Sequence, residues 1–303
     1  MTDVVTGAFS YTGRFIVERL LAEGRDVRAL SRSQRGAGDP DVPRSPLQFE
    51  DATALAESLR GVETLYNTYW IRFPHAGMTF ERAVENTRTL FRAAAGAGVA
   101  RIVHVSVSNP SLESPYPYFR GKAGMERDLE ALGVPHAIVR PTLVFGPGDI
   151  LVNNIAWILR RFPVFLVPRG GGYLVQPVAV QDVARICVEA AAVAGSRSPV
   201  VDAAGPDTLT FAELVQAVRD AVGSRARIVR TSPALALGLT WLAGLLLRDI
   251  VLTRDELRGL EDSLLVSNGS PSGTARFGDW LAQNGEMLGR SYVSELARNW
   301  RRQ

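Results

Sequence analysis

The run Tyr-Phe-Arg-Gly-Lys places Tyr118 and Lys122 four residues apart, a spacing that on a helix puts a phenol and an ammonium on one face. A phenol with an ordinary pKa near ~10 is a poor acid or base at neutral pH, but a cation beside it favours the phenolate and brings it toward the working range. Lys122 also stands out by count, because the 34 basic residues of the chain are 33 Arg and this one Lys. Lysine is compact and can lose its proton when desolvated, so the single lysine marks a position where a guanidinium does not serve. Upstream, Ser106 and Ser108 in the stretch Ser-Val-Ser-Asn-Pro end an apolar, strand-like run. Either hydroxyl can hydrogen-bond a carbonyl oxygen and help hold the phenol, and the spacing does not choose between them.

A second constellation lies near the N-terminus. Residues 3–6 are a short apolar run, and the turn after it reads Thr-Gly-Ala-Phe-Ser-Tyr-Thr-Gly-Arg over 6–14. Gly7 and Gly13 hold the outer places of a Gly-x-x-Gly-x-x-Gly dinucleotide fingerprint, and Ser10 replaces the middle glycine. Glycine permits the tight turn and a close backbone approach to pyrophosphate, while the first helical N–H groups and the helix dipole stabilise the anion. About 20 residues on, where an NAD-preferring site carries Asp or Glu, the chain reads Leu-Ser-Arg at 30–32. Arg32 suits a 2′-phosphate, which guanidinium pairs in a bidentate manner, so NADP(H) is expected in preference to NAD(H).

These residues need a scaffold, and the hydrophobic pattern supplies one. Strands are predicted at 3–6, 27–30, 47–49, 62–66, 101–107 and 136–139, alternating with helices at 12–23, 53–60, 79–97 and 119–132. Strands too apolar for one-sided exposure argue an α/β fold: a Rossmann-type, doubly wound parallel sheet with helices on both faces. After Gly148 the rhythm changes to a helix at 151–161, strands at 164–167 and 174–178 and a Gly-Gly-Gly turn at 170–172. A helix at 182–193 and a strand at 200–202 read as returns to the main sheet. Beyond Gly205 helices are predicted at 210–222, 233–247, 253–265, 275–288 and 291–301, with a strand at 228–230. The expected division is a dinucleotide domain over 1–150 with 173–204 returning to it, and a smaller, mostly helical C-terminal substrate cap over 205–303 with 151–172 contributing. Such a cap would lie over the carboxyl edge of the sheet, where open α/β folds bind ligands.

Composition narrows the function classes. At 303 residues, 46% hydrophobic and 21% charged, the chain has the make-up of a globular protein rather than a disordered or fibrous one. A net charge of +3, spread without runs of like sign, gives nucleic-acid binding no support. Cys187 is the only cysteine, which rules out an intramolecular disulfide or a multi-cysteine metal site. His75, His104 and His136 lack metal-ligand spacing and read as packing or hydrogen-bonding residues, so no metal is expected. The first residues carry no basic region followed by an apolar run and cleavage site, which predicts a cytoplasmic protein.

Taken together, the segments 6–14, Tyr118/Lys122, Arg-Pro-Thr-Leu-Val-Phe-Gly-Pro-Gly at 140–148 and Val-Gln-Asp-Val at 180–183 resemble the extended and atypical branch of the short-chain dehydrogenase/reductase superfamily. Asn-Thr-Tyr-Trp at 67–70, Asn-Asn-Ile-Ala-Trp at 153–157 and Gly-Pro-Asp-Thr-Leu-Thr-Phe at 205–211 are similar to the NmrA-like and complex I 39-kDa-subunit-like subgroup. The resemblance implies a dinucleotide across the sheet edge, with Gly7, Ser10, Tyr11, Thr12, Gly13 and Arg14 around the pyrophosphate and Arg32 at the adenosine ribose. It further implies Asp51 near the adenine, Asn67 and Thr68 lining the cofactor, Pro141 and Leu143 toward the nicotinamide, and Lys122 on the ribose hydroxyls. Tyr118, Lys122 and one of Ser106 and Ser108 would be catalytic. The activity implied is oxidoreduction of a carbonyl or alcohol, with epimerase or dehydratase chemistry on the same apparatus. The alternative is a dinucleotide-binding sensor or accessory subunit without turnover, a role common in this subgroup.

One segment stands apart. The run 233–247 is the most apolar in the chain, but as a helix it is only about 22 Å long, short of the roughly 30 Å hydrocarbon core of a bilayer. A core or cap helix is the expectation, with peripheral membrane contact as the minor alternative.

Overall fold

The computed structural model describes residues 2–36, 38–193, 195 and 198–300. It divides into two compact units, Met1–Pro141 with Val180–Ala203, and Thr142–Ala179 with Ala204–Gln303. The segment 142–179 thus belongs to the second unit, and 180–203 returns to the first.

The first unit runs β1 (Thr2–Thr6), α1 (Tyr11–Ala22), β2 (Asp26–Ser31), β3 (Arg44–Pro46), α2 (Ala52–Glu57), β4 (Val62–Asn67), α3 (Phe80–Gly96), β5 (Arg101–Val105), α4 (Pro117–Ala131) and β6 (His136–Pro141). The chain then builds β7 (Leu143–Phe145), α5 (Leu151–Arg161), β8 (Val164–Pro168), β9 (Leu174–Val175) and β10 (Pro177–Ala179) in the second unit before α6 (Val180–Ala191) and β11 (Val200–Ala203) rejoin the first. Among the described residues the first unit holds one seven-stranded sheet in the order β11-β6-β5-β4-β1-β2-β3, parallel throughout. The chain starts in the middle, winds outward to β3, and jumps back across β1 to β4. That reversal opens a crevice at the carboxyl ends of β1 and β4.

The strand sequences account for the coverage. Val4, Leu30, Leu65, Ile102 and Ile138 alternate onto one face, where Leu55, Leu59, Leu90, Phe91, Met125 and Leu129 of α2, α3, α4 and their flanks close over them. Their strand neighbours Val5, Ala29, Tyr66, Val103 and Val139 are equally buried on the other face, and α1 packs on α6. A strand buried on both sides must be apolar at every position, which is why these read as continuous runs. One strand lies off its predicted place. Pairing occurs at Arg44–Pro46, beside β2, and the predicted strand at 47–49 is irregular. Leu47 and Phe49 are buried in the core, Leu47 giving its amide to Ser31 O as the last bond to β2, and a proline is tolerated in β3 because it is an edge strand.

The second unit continues with β12 (Leu209–Thr210), α7 (Phe211–Ala221), β13 (Arg227–Thr231), α8 (Pro233–Leu247), α9 (Arg254–Glu261), α10 (Phe277–Asn284) and α11 (Glu295–Asn299). Among the described residues it carries three two-stranded pairs, β7/β10 and β8/β13 parallel and β9/β12 antiparallel. Phe145, Ile155, Leu159, Val167, Leu214, Val218, Phe277 and Leu281 form its core. The last three helices are shorter than the periodicity predicts. Ser263 adopts a left-handed conformation just after α9, and Gly289, with φ +68°, interrupts the chain between α10 and α11. Among the described residues no helix is long and apolar enough to cross a membrane.

The opposite, amino end of the main sheet is closed by charge. Asp3 is fully buried in β1 and accepts a bidentate pair from Arg25, at 2.8 and 3.0 Å, while Arg25 also bonds Glu63. Asp3→Ala should lower stability by roughly 2 kcal/mol, since it removes two charge-assisted hydrogen bonds while Arg25, one-third exposed, keeps Glu63. Thermal melts would show this, with exposed Asp26→Ala as a control shifting by less than about 0.5 kcal/mol.

Candidate active site

The turn between β1 and α1 is shaped by two glycines. Gly7 has φ +61°, and a Cβ there would lie 2.8 Å from Thr68 Oγ1 and 2.9 Å from Ser10 Oγ. At Gly13 a Cβ would lie 2.1 Å from the Gly7 carbonyl oxygen, so the helix backbone rests directly against the turn. Ser10 is the residue before α1, and its hydroxyl donates to Gly7 O at 2.6 Å, closing the turn from inside. Tyr11 and Thr12 open the helix. The Arg14 guanidinium lies 5.1 Å from the Phe15 ring and 3.5 Å from Glu18. The first-turn N–H groups of α1 therefore point from a helix end that backbone, rather than side chains, can approach.

Beside this turn, the ends of β1, β4 and β5 are joined by buried polar side chains. Thr6 Oγ1 donates to Asn67 Oδ1 at 2.9 Å, and Asn67 Nδ2 lies 3.0 Å from His104 Nδ1. Since Asn67 Oδ1 also accepts from the Tyr69 amide, its Nδ2 is the donor and His104 carries its proton on Nε2. Burial, with Lys122 nearby, holds the His104 pKa well below its ordinary value, so this imidazole is neutral. Thr68 Oγ1 donates to Thr6 O at 2.5 Å. Asn67 and Thr68 thus stand at the crevice, but as struts between strands. Arg32 is exposed just past β2, and Asp51 caps α2 by accepting from the Ala54 amide at 2.9 Å.

The catalytic candidates gather where β5 faces α4. Ser106 and Ser108 continue the β5 ladder, their amides donating to Val139 O and Pro141 O, so both sit on one face of an extended segment. Ser106 Oγ is buried and has no hydrogen-bond partner, which distinguishes it from Ser108. Lys122 is buried, 3% exposed, and its Nζ donates to Val105 O at 2.8 Å. Above it lies Trp70, whose ring centre is 4.9 Å from Nζ, a cation–π contact. Trp70 in turn meets Tyr118 edge-on at 5.8 Å and stacks on Phe80, and a side chain at Gly121 would collide with the indole at 2.8 Å. Burial pushes the Lys122 ammonium down to about 7, against the pull of Glu126 one turn along α4. Glu126 is itself held by the Arg140 guanidinium, which donates to both carboxylate oxygens from β6. Pro141 ends β6 in the first unit, whereas Leu143 opens β7 in the second.

The sequence alone pointed to Tyr118, Lys122 and the serines but missed Trp70, Glu126 and Arg140 as their supports. Glu126 could have been found, because it continues the four-residue stripe from Tyr118 through Lys122. Among the described residues no cluster of His, Cys, Asp or Glu could hold a metal ion. The glycine cradle that any Cβ would fill, and the orphaned hydroxyl of Ser106 at the sheet's carboxyl edge, fit a bound dinucleotide and a carbonyl oxygen.

Residues 7–155 match the NAD(P)H-binding family. Over that stretch the chain is similar to NAD(P)H-binding domains, in keeping with the resemblance its motifs carry. The domain's chain is 36% identical to sterol demethylase protein B of Methylococcus capsulatus over 187 residues, covering 54% of this chain and 57% of that one. It is 28% identical to the 40 kDa subunit of NADH-ubiquinone oxidoreductase of Neurospora crassa, covering 75% of this chain and 62% of that one. The chain thus spans less than two thirds of the length of either relative. Among solved structures, an NADPH-dependent quinone oxidoreductase of Escherichia coli shares the fold, with a TM-score of 0.72 at 20% identity over 93% of this chain and 99% of that one.

Two variants probe the geometry. Gly13→Ala should displace α1 from the Gly7 carbonyl and weaken dinucleotide binding at least tenfold by titration calorimetry. Lys122→Met should raise the melting temperature at pH 7 by a few degrees, because the cost of burying the ammonium is full below about pH 7 and vanishes as pH rises toward the unfolded lysine's value of about 10.4. A stabilisation that persists unchanged at pH 10 would show that Lys122 is not the desolvated group.

Proposed function

We propose that this protein is an NADP(H)-dependent oxidoreductase acting on a carbonyl or an alcohol, with Tyr118 as the proton donor and acceptor. The observation that carries this reading is the buried Lys122 one turn beyond Tyr118, bonded to Val105 O, the residue before Ser106, whose own hydroxyl has no partner. When bound, the nicotinamide supplies or accepts the hydride.

In the reductive direction the chain's own residues do the following. Ser106 Oγ donates a hydrogen bond to the carbonyl oxygen and fixes it near the phenol. Tyr118 delivers its proton to that oxygen as negative charge builds there, and water later restores the phenol. Lys122 lowers the cost of the phenolate; of its three N–H bonds one is held by Val105 O, and the others can reach ribose hydroxyls. Gly7, Ser10 and Gly13 admit the pyrophosphate to the α1 N-terminus, Tyr11, Thr12 and Arg14 line its approach, and Arg32 takes the 2′-phosphate. Ser108, Asn67 and Thr68 line the crevice, Asp51 stands toward the adenine, and Pro141 lies toward the nicotinamide end. Epimerisation or dehydration through a transient keto group would use the same proton transfer.

A second reading is favoured by one observation: the indole of Trp70 covers Lys122. In that reading the protein binds the dinucleotide as a sensor or accessory subunit without turning it over. Turnover separates the two. Consumption of NADPH against a panel of quinones, ketones and aldehydes, lost at least 100-fold in Tyr118→Phe with binding intact, supports the oxidoreductase. Binding without consumption in wild type supports the sensor. For the cofactor, NADPH should bind at least tenfold more tightly than NADH, and Arg32→Ala should remove that difference; equal affinities in wild type would exclude the assignment of Arg32.

A further inference from the structure

Helix α8 is apolar on the outside. Its 15 residues contain no charge, and only Ala236 and Gly244 are buried. At 100° per residue, Leu235, Leu239, Leu242 and Leu246 form one stripe, and Ala234, Gly238, Trp241 and Leu245 widen it to an arc of about 160° that faces solvent. Leu246 is 81% exposed and Trp241 67%. A surface helix normally turns its polar residues to water, so this one is inverted. Strands β8 and β13, of which β8 packs against α8, add exposed Val164 and Val229.

The helix is held in place at both ends without help from that arc. Ser232 caps its first turn by accepting from the Leu235 amide. At the other end Arg248 is left-handed and Asp249 turns inward, where its carboxylate accepts from Tyr292 Oη at 2.6 Å and from the amides of Glu295 and Leu296 at 3.0 Å each. A Cβ at Gly244 would lie 2.6 Å from Asp249 O, so this turn demands a glycine. The apolar arc is therefore presented by a rigid mount.

Charge selects what covers it. Between Gly223 and Arg254 the chain carries Arg225, Arg227, Arg230, Arg248 and Arg254, all exposed, while the only acid, Asp249, is buried and hydrogen-bonded. A second copy of the chain, docked about a two-fold axis, would bring these arginines against their own equivalents. A sheet of anionic headgroups matches them. With about 22 Å of length the helix cannot span a bilayer, but it suits lying in the interface, where stable docking takes an apolar insertion and a basic patch together.

We propose that α8 and its flanking arginines dock this protein onto the surface of an anionic lipid bilayer. The test is flotation of the full chain with vesicles of phosphatidylcholine alone and with 30% phosphatidylglycerol. Expected is flotation with the anionic vesicles, reduced at least tenfold by 0.5 M NaCl, and a blue shift of Trp emission that is absent in Trp241→Phe. The double variant Leu242→Asp, Leu246→Asp should keep its melting temperature, since both side chains are exposed, and lose flotation. Arg227→Glu with Arg230→Glu should weaken partition to anionic vesicles at least tenfold, each arginine near such a surface counting for about fivefold. Failure to float with either vesicle, or flotation unchanged in the double aspartate variant, would overturn the proposal. So would a dimer in light scattering that the aspartates convert to monomer while wild type ignores vesicles.

Discussion

Burying one ammonium behind the end of a parallel sheet is the constraint around which the first unit is arranged. Lys122 has given up water, and its remaining partners are a single backbone carbonyl, the face of an indole and a carboxylate one helical turn away. Each partner depends on another element. Val105 O is available because the pairing of β5 with β4 stops at His104, and Trp70 reaches the ammonium because Gly121 has no side chain to obstruct it. Glu126 is held in place among apolar residues because Arg140 pairs it in bidentate fashion from β6. Arginine could not replace Lys122 in this setting. Its planar fork carries five donors where one carbonyl is within reach, and it does not shed its proton when desolvated. The compositional exception and the structural constraint are the same fact.

A second constraint follows from the winding of the sheet. Where the chain reverses between β1 and β4, two parallel strands end side by side with no helix crossing between them, and their last polar groups must be satisfied locally. Thr6, Asn67 and His104 do this in series, with a neutral imidazole at the end of the line. The same junction carries Gly7, whose left-handed turn leaves room for Thr68 on one side and for the backbone of Gly13 on the other. The crevice is polar because its strand ends need partners, and it is open because two glycines have no Cβ. Neither property alone would make a site for a phosphate-bearing ligand.

Most of the fold was legible for a physical reason: strands covered on both faces must be apolar throughout, and helices between them must be amphipathic, so sequence and burial coincide over 2–141. The site was legible where chemistry demands a residue type at a fixed local spacing, as in Gly7 with Gly13 and Tyr118 with Lys122. It was illegible where the support comes from a distant segment. Trp70, fifty-two residues before Lys122, and Arg140, eighteen after it, announce nothing by themselves. Strand β3 was misplaced because Leu47 and Phe49 are hydrophobic for burial while Arg44, Ser45 and Pro46 do the pairing, and strand propensity speaks to the first property more than the second. The serine choice could not be made from spacing, since both hydroxyls lie on one face; only the hydrogen-bond inventory separates Ser106 from Ser108.

Helix α8 shows the limit of hydrophobicity as a guide to the interior. Its composition is that of a core helix, and the run 233–247 reads as one by length and polarity. What decides burial is the supply of apolar neighbours, and the second unit has already used its own: Phe145, Leu214, Val218 and Phe277 close a core to which α8 contributes nothing. The helix is retained by polar devices at its ends, the Ser232 cap and the Asp249 turn, which would hold an ordinary amphipathic helix equally well. Leucines at 235, 239, 242 and 246 therefore add little to folding and lower solubility. Polar residues at these places would leave the caps, the Gly244 turn and the Ala236 contact unchanged. An outward apolar arc that folding does not require, mounted rigidly and framed by arginines, makes physical sense when something apolar and anionic lies against it.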